Sequence, residues 1–440
     1  MSCIHYRVST LYGGNQKLPV VHGDEEYISR ILPHEISGEL YNEFALRHAA
    51  MGVTEQFRDV IDTFHVAPGE TPAGFRVEYN MESADLILAD LVRDISYDKN
   101  GQKRPQKILF SADSANPYEV EPVKNMIANL TCNPAIIYNL FINNPAANIG
   151  NKYKTRDEVL KDLADMLGPG CDISVELNDP FHASENEILE EAARFRELLS
   201  KHRVVIKVPH TGPVNADNVS ELMTGDRKFS KRYNQGATAD FYRGHNLALM
   251  LKEHGYRINF TLMFEPYQTA MALQARPYFI NSFIMFRHSQ SMQMAGLMKA
   301  YESTGDVLFI EQLQKYMVEN DYLAAGEMSA DRFAAYTRAR DILRYRGFLD
   351  DPMADGLDGI RHNLSVLRQA NLPDSRLIIC NMQGENYYPY IDRLLMEPEY
   401  QDMLDRVIIT AGPELLAQYT SNAIVVQFHR RFMNAANGAR

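Results

Sequence analysis

The stretch KILFSADSANPYEVEPVKNMIANLTCN (107–133) decides how the rest of the chain is read. An apolar run, KILFSA (107–112), stops at a polar cluster headed by Asp113, and a second, ANLTC (128–132), stops at Asn133 after an intervening polar segment. Short apolar runs of this kind, bounded by turn formers and separated by longer amphipathic stretches, signal strands of a parallel sheet joined by crossover helices. Working outward, six more runs follow: CDISVE (171–176), RVVIKV (203–208), RINFTL (257–262), YFINSFIMF (278–286), RLIICN (376–381) and RVIIT (406–410). Helical patterns such as NEILEEAARFRELLSKH (186–202) and GIRHNLSVLRQANL (359–372) fall between them. Eight strands alternating with helices predict an α/β fold, a (β/α)₈ TIM barrel.

Two intervals are too long for simple connections and read as insertions: residues 209–245, with the charged stretch TGDRKFSKRYNQG (224–236), and residues 289–355, a helical pattern rich in Met, Tyr and Arg. Before the first run, HEISGELYNEFALRHAAMG (34–52) and ESADLILADLVRDI (82–95) read as helical segments around the turn-rich VAPGETPAG (66–74). The expected organisation is a mostly helical N-terminal extension over 1–105, followed by the barrel with its insertions over 106–440.

Composition narrows the function classes. Apolar residues make up 45% and charged residues 23% of 440, enough for a large core without staples. A formal charge of −12 repels nucleic-acid backbones, and no basic run offsets it, so nucleic acid is not an expected partner. Cys3, Cys132, Cys171 and Cys380 form no CxxC pair, which fits a reducing, cytoplasmic setting better than a disulfide framework or zinc ribbon. No stretch is long and apolar enough to span a bilayer, so no membrane partner is expected. The thirteen histidines show no HExxH-type spacing, and neither a metal nor another cofactor is expected.

In a barrel the chemistry gathers at the C-terminal strand ends, where Asp113, Asn133, Glu176 and Lys207 close their runs and Asn259 and Thr261 sit inside theirs. Ser174 with Glu176, and Asn259 with Thr261, are two apart and share a face. Lys207 inside VVIKVP is desolvated by its context, which is expected to lower its pKa toward the neutral amine that attacks carbonyls. The alternative is a lysine whose stem packs and whose head pairs with Glu176 or Asp113. Asp113 can instead cap a helix, Asn133 can shape the turn before Pro134, and Asn259 and Thr261 can be satisfied core hydrogen-bonders.

These motifs, in this order, resemble the transaldolase and fructose-6-phosphate aldolase family. DSAN (113–116) followed by TCNP (131–134), then SVE (174–176), VVIKVP (204–209) and NFTLMF (259–264) match its strand-end motifs across residues 108–286. The resemblance implies Lys207 as imine former and Asp113 as the acid/base on the substrate's C4 hydroxyl. It implies Asn133 and Asn259 as dihydroxyacetone binders, and Glu176 with Thr261, beside Ser174, as holders of a proton-shuttling water. Where the family carries S-P-F-V-G-R after the sixth strand, this chain has NSFIMFR (281–287), so Asn281, Ser282 and a shifted Arg287 are the candidates for the substrate's anionic end. The alternative for Arg287 is a pairing with an acidic residue of the rim. The cationic cluster Arg227, Lys228, Lys231 and Arg232, or the tail residues His429, Arg430 and Arg431, are further places from which an anion could be met.

The implied activity moves a dihydroxyacetone unit from a ketose or ketose phosphate to an aldose or aldose phosphate through a lysine Schiff base. A class I aldolase of the fructose-6-phosphate type, or a non-catalytic sugar-phosphate-binding barrel, are the alternatives. Glutamate at 176, where the aldolases carry glutamine, favours the transferase. Sugars or sugar phosphates are the expected partners, and a homo-oligomer is left open.

Overall fold

The computed structural model describes residues 4–12, 18–47, 50–64, 75–83, 85–97, 103–168, 171–200, 202–324, 326, 331–349, 354–382 and 387–438. The N-terminal region contributes strands β1 (His5–Arg7), β2 (Glu35–Ser37), β3 (Ala50–Val53), β4 (Phe75–Ser83) and β5 (Leu86–Arg93), with helices α1 (Glu25–Ile31), α2 (Gly38–Arg47) and α3 (Glu55–Phe64). β1 and β2 pair antiparallel, and a second sheet runs in the order β3-β5-β4. The expectation of a mostly helical extension is thus corrected to a mixed α/β unit. The stretch around LILADLVR is a strand because Ile87, Ala89 and Leu91 are fully buried while Leu88 and Asp90 between them are not, a period of two rather than 3.6. The turn-rich VAPGETPAG lies outside the described residues.

All eight apolar runs become strands of the barrel: β6 (Leu109–Asp113), β7 (Asn129–Thr131), β8 (Asp172–Glu176), β9 (Arg203–Pro209), β10 (Arg257–Met263), β11 (Phe279–Phe283), β12 (Arg376–Cys380) and β13 (Val407–Ala411). Every neighbour pairs in parallel, and β13 pairs back onto β6 to close the ring. Both faces are buried, which is why the runs are nearly continuous rather than alternating. Outward residues such as Ile173, Val175, Ile206, Val208, Phe260 and Ile280 pack under the helices, while Leu109, Val205, Phe279, Ile378 and Ile408 fill the lower interior.

The helices Arg156–Leu167 and Glu185–Leu198 both begin with a capping box, Thr155 with Glu158 and Ser184 with Glu187. The helix Thr238–Glu253 is pressed onto the end of β9: a Cβ at Gly244 would lie 2.2 Å from the Pro209 carbonyl oxygen, so only glycine permits this approach. It is the crossover helix between β9 and β10 and starts inside the first insertion, whose earlier stretch, 210–237, contains just the one-turn helix Val219–Leu222 among its regular elements. The second insertion forms helices Met285–Thr304, Leu308–Glu319 and Arg332–Tyr345 around their own core of Met294, Met298, Leu313, Met317 and Leu343. Arg232 of the first insertion is ion-paired at 3.2 Å with Asp321 of the second, joining the two at the C-terminal face of the barrel.

The opposite end is stoppered by the N-terminal unit. Ile95 joins the lower interior cluster, and Phe75 of β4 lies 5.6 Å below the guanidinium of Arg203. Arg203 is itself fully buried and ion-paired with Asp172.

Candidate active site

Strand register sets the floor of the barrel mouth. Asp113 on β6 aligns with Thr131 on β7, Thr131 with Ser174 on β8, and Lys207 on β9 lies between Glu176 on β8 and Asn259 on β10. Lys207 is 2% exposed, with Nζ 3.3 Å from Glu176 Oε2 and donating to the Cys132 carbonyl oxygen at 3.4 Å. Asp113 keeps some surface at the mouth, but its Oδ1 is sealed off and has no hydrogen-bond partner. It is not a helix cap, because Asn116 performs that role by accepting from the Tyr118 amide at 3.0 Å. The carboxylate is therefore left for the site.

The charges are mutually dependent. Burial pushes the Asp113 carboxyl up to about 6, with Lys207 opposing and Glu176 reinforcing the shift. Burial works against the Lys207 ammonium, yet the neighbouring Glu176 and Asp113 outweigh it and hold the lysine above its ordinary value. This corrects the expected depression: strand context alone predicts a neutral amine, whereas two carboxylates brought from other strands stabilise the cation. Glu176 Oε2 is the carboxylate oxygen in contact with this cation, at 3.3 Å.

A hydrogen-bonded ladder crosses the barrel interior, rising from Ser111 and Asn129 to Asn259 beside Lys207. Asn129 Nδ2 donates to Ser111 Oγ at 2.8 Å, Ser174 Oγ donates to Asn129 Oδ1 at 3.1 Å, and Asn259 Nδ2 donates to Ser174 Oγ at 3.4 Å. The ladder fixes the Asn259 amide with its buried Oδ1 unpartnered. Asn281 Oδ1, Thr131 Oγ1 and Thr410 Oγ1 are likewise buried and unpartnered. Buried polar atoms without partners are costly, so several around one mouth mark a place where a polar ligand or water belongs. Ser111, Asn129, Thr131 and Thr410 escaped the sequence reading; the first three could have been found by parity, since Ser111 lies two before Asp113 and Asn129 and Thr131 share its inward face.

Thr261 is buried two residues beyond Asn259, where β10 breaks register and Leu262 adopts a φ of +58°. A left-handed leucine is strained, and strain of this kind collects at functional strand ends. Asn133 accepts from the Ile136 amide at 2.9 Å through Oδ1, so it shapes the turn it stands in while its amide nitrogen remains available.

The expected anion clamp is not assembled. Ser282 faces outward, where it accepts from Asn363 Nδ2 at 3.1 Å, because the alternation that points Asn281 inward turns Ser282 toward the helix layer. Arg287 is buried and ion-paired with Glu265 and Asp358, and Arg346 of the second insertion meets Glu265 at 3.0 Å. Its guanidinium is taken up in docking the inserted helices to the rim. Arg287→Ala is accordingly expected to lower stability by up to about 3–5 kcal/mol, the range for breaking a buried ion pair, and to do so without discriminating charged from uncharged ketoses. Thermal unfolding beside kinetics on matched substrates checks this. Lys228 and Lys231 lie exposed in the first insertion, and the helix Ala423–Ala436 that carries His429, Arg430 and Arg431 buries no residue.

Among the described residues no group of three or more His, Cys, Asp or Glu side chains could hold a metal, and no helix is long and apolar enough to cross a membrane. No curated relative matches the chain. The family described as Transaldolase/Fructose-6-phosphate aldolase matches residues 110–333, just over half of the sequence, spanning β6 to the third inserted helix. With an eight-stranded parallel barrel and a lysine and two carboxylates at its mouth, the chain belongs to the transaldolase/fructose-6-phosphate aldolase family.

Proposed function

We propose that the protein is a transaldolase-like transferase that moves a dihydroxyacetone unit from a ketose or ketose phosphate donor to an aldose or aldose phosphate acceptor through an imine on Lys207. The observation that carries this reading is the Lys207 Nζ to Glu176 Oε2 approach of 3.3 Å at a buried site that also holds Asp113. Glu176 accepts the ammonium proton, and the free amine attacks the ketose carbonyl. The carbinolamine loses water, with Glu176 returning the proton through a water held with Thr261. Asp113 then takes the proton of the C4 hydroxyl as the C3–C4 bond breaks, its electron pair passing into the iminium to give an enamine while the aldehyde product departs. Asn259, Asn133 and Asn281, beside Ser174, bind the hydroxyls of the three-carbon unit. The acceptor aldose is attacked by the enamine in the reverse sequence.

A carboxylate at 176 rather than an amide supports transfer over simple release, because it gives the lysine a proton acceptor at contact distance. With Arg287 and Ser282 engaged elsewhere, any anionic end of the donor is met by other groups of the rim. The buried, unpaired thiols of Cys132, Cys171 and Cys380 support a reducing, cytoplasmic setting. Borohydride trapping across a panel of ketoses, read by intact mass, tests the imine, and product analysis with and without an aldose separates transfer from release.

The pH profile offers an independent check. Asp113 must be ionised to act as a base, and its carboxyl is raised to about 6. The rate constant kcat/KM is therefore expected to rise with pH through about 6, from a protonated, inactive site below to an ionised, active one above. A flat profile between about pH 5 and 7 would exclude Asp113 as the kinetically essential base.

A further inference from the structure

A cleft of about 900 Å³ lies between the N-terminal unit and the bottom of the barrel, a volume suited to a small metabolite and a location, between two structural units, where ligand sites are common. Its barrel wall presents four cations, Arg196, Lys252, Arg257 and Arg276, and one carboxylate, Asp374, while its N-terminal wall presents Asp59 and Asp62 from one face of α3. Arg196 is already oriented: its guanidinium stacks 3.8 Å from the Tyr256 ring centroid and donates to the Gly255 carbonyl oxygen at 3.0 Å. Lys252, Arg257 and Arg276 form no ion pair among the described residues. Unpaired cations converging on one cleft create an anion site, and carboxylates across from them accept hydrogen bonds from hydroxyls but repel phosphate.

We propose that this cleft is a second ligand site, distinct from the barrel mouth, that binds a phosphate monoester carrying several hydroxyls, with the phosphate on the cationic barrel wall and the hydroxyls on Asp59 and Asp62. A molecule seated there touches both units and ties α3 to the start of β10. Binding then stabilises the docking of the N-terminal unit, because any ligand that binds the docked form alone shifts the equilibrium toward it. The site is independent of the Lys207 chemistry, since the two lie at opposite ends of the barrel.

Ribose 5-phosphate is the probe, with free ribose as its uncharged control. Hydrogen exchange on the full-length protein is expected to slow in peptides covering 55–62 and 252–258 with ribose 5-phosphate and not with ribose. Lys252→Ala/Arg276→Ala, which alters two exposed side chains, is expected to remove that protection and weaken binding about ten- to a hundredfold, with turnover at the barrel mouth retained. Protection confined to the barrel mouth, equal protection by ribose, or unchanged protection in the double variant would each overturn the proposal. So would a double variant that unfolds more easily while the wild type shows no phosphate-dependent protection at the cleft, because the cations would then serve only the seam between the two units.

Discussion

Lys207→Ala is expected to remove the borohydride-trapped ketose adduct and to lower turnover by roughly 10⁴-fold or more, the scale on which losing a covalent nucleophile is felt. The effect is large because, among the described residues, no other lysine stands at the mouth beside Glu176 and Asp113. Intact mass after reduction reads the adduct, and peptide mapping must place it on Lys207 in the unaltered protein. Alanine also removes the cation that Glu176 faces at 3.3 Å, leaving two acidic groups in one buried space. They relieve this by holding a proton, so the fold is expected to survive with a raised apparent carboxyl pKa. Lys207→Met fills the lost volume and separates packing from chemistry. An adduct on another lysine, or normal turnover in either variant, would refute the imine assignment.

Asp113→Asn is expected to part imine formation from carbon–carbon cleavage. The amine and its proton acceptor Glu176 are untouched, so the adduct still forms, while cleavage slows by roughly 10²–10⁴-fold as the general base is lost. The acid limb near pH 6 should vanish with it, because the group responsible for that limb no longer titrates. Rapid-quench measurement of adduct and aldehyde product distinguishes the steps. A variant that cannot trap substrate but cleaves what it binds would reverse the roles of Asp113 and Glu176.

The polar strand ends of the candidate site are legible because each is a local pattern: an apolar run sets the strand, and the polar residue that ends it is placed at the mouth by the barrel's common polarity. The same locality explains the failures. Ser282 and Arg287 were read by offset from a motif, but whether a strand residue faces the interior depends on register, and Arg287 lies in a helix whose acidic neighbours come from Glu265 and from Asp358, seventy-one positions away in the chain. The extension reads as helical for a related reason. Leu86, Ile87, Leu88, Leu91 and Val92 satisfy helical and strand spacing alike, and only pairing with β3 and β4 selects the strand.

By itself the sequence determined the eight strands, their parallel alternation with helices, and the ordered set Asp113, Glu176, Lys207 and Asn259, since run length, parity and terminal residues are properties of contiguous chain. The tertiary structure alone decided the charge state of Lys207, the ladder beside it, the diversion of Arg287 and the cleft beneath the barrel. Each of these depends on side chains from distant segments meeting in a space shielded from water, and electrostatic and desolvation energies there are set by distance and burial, which no stretch of sequence contains.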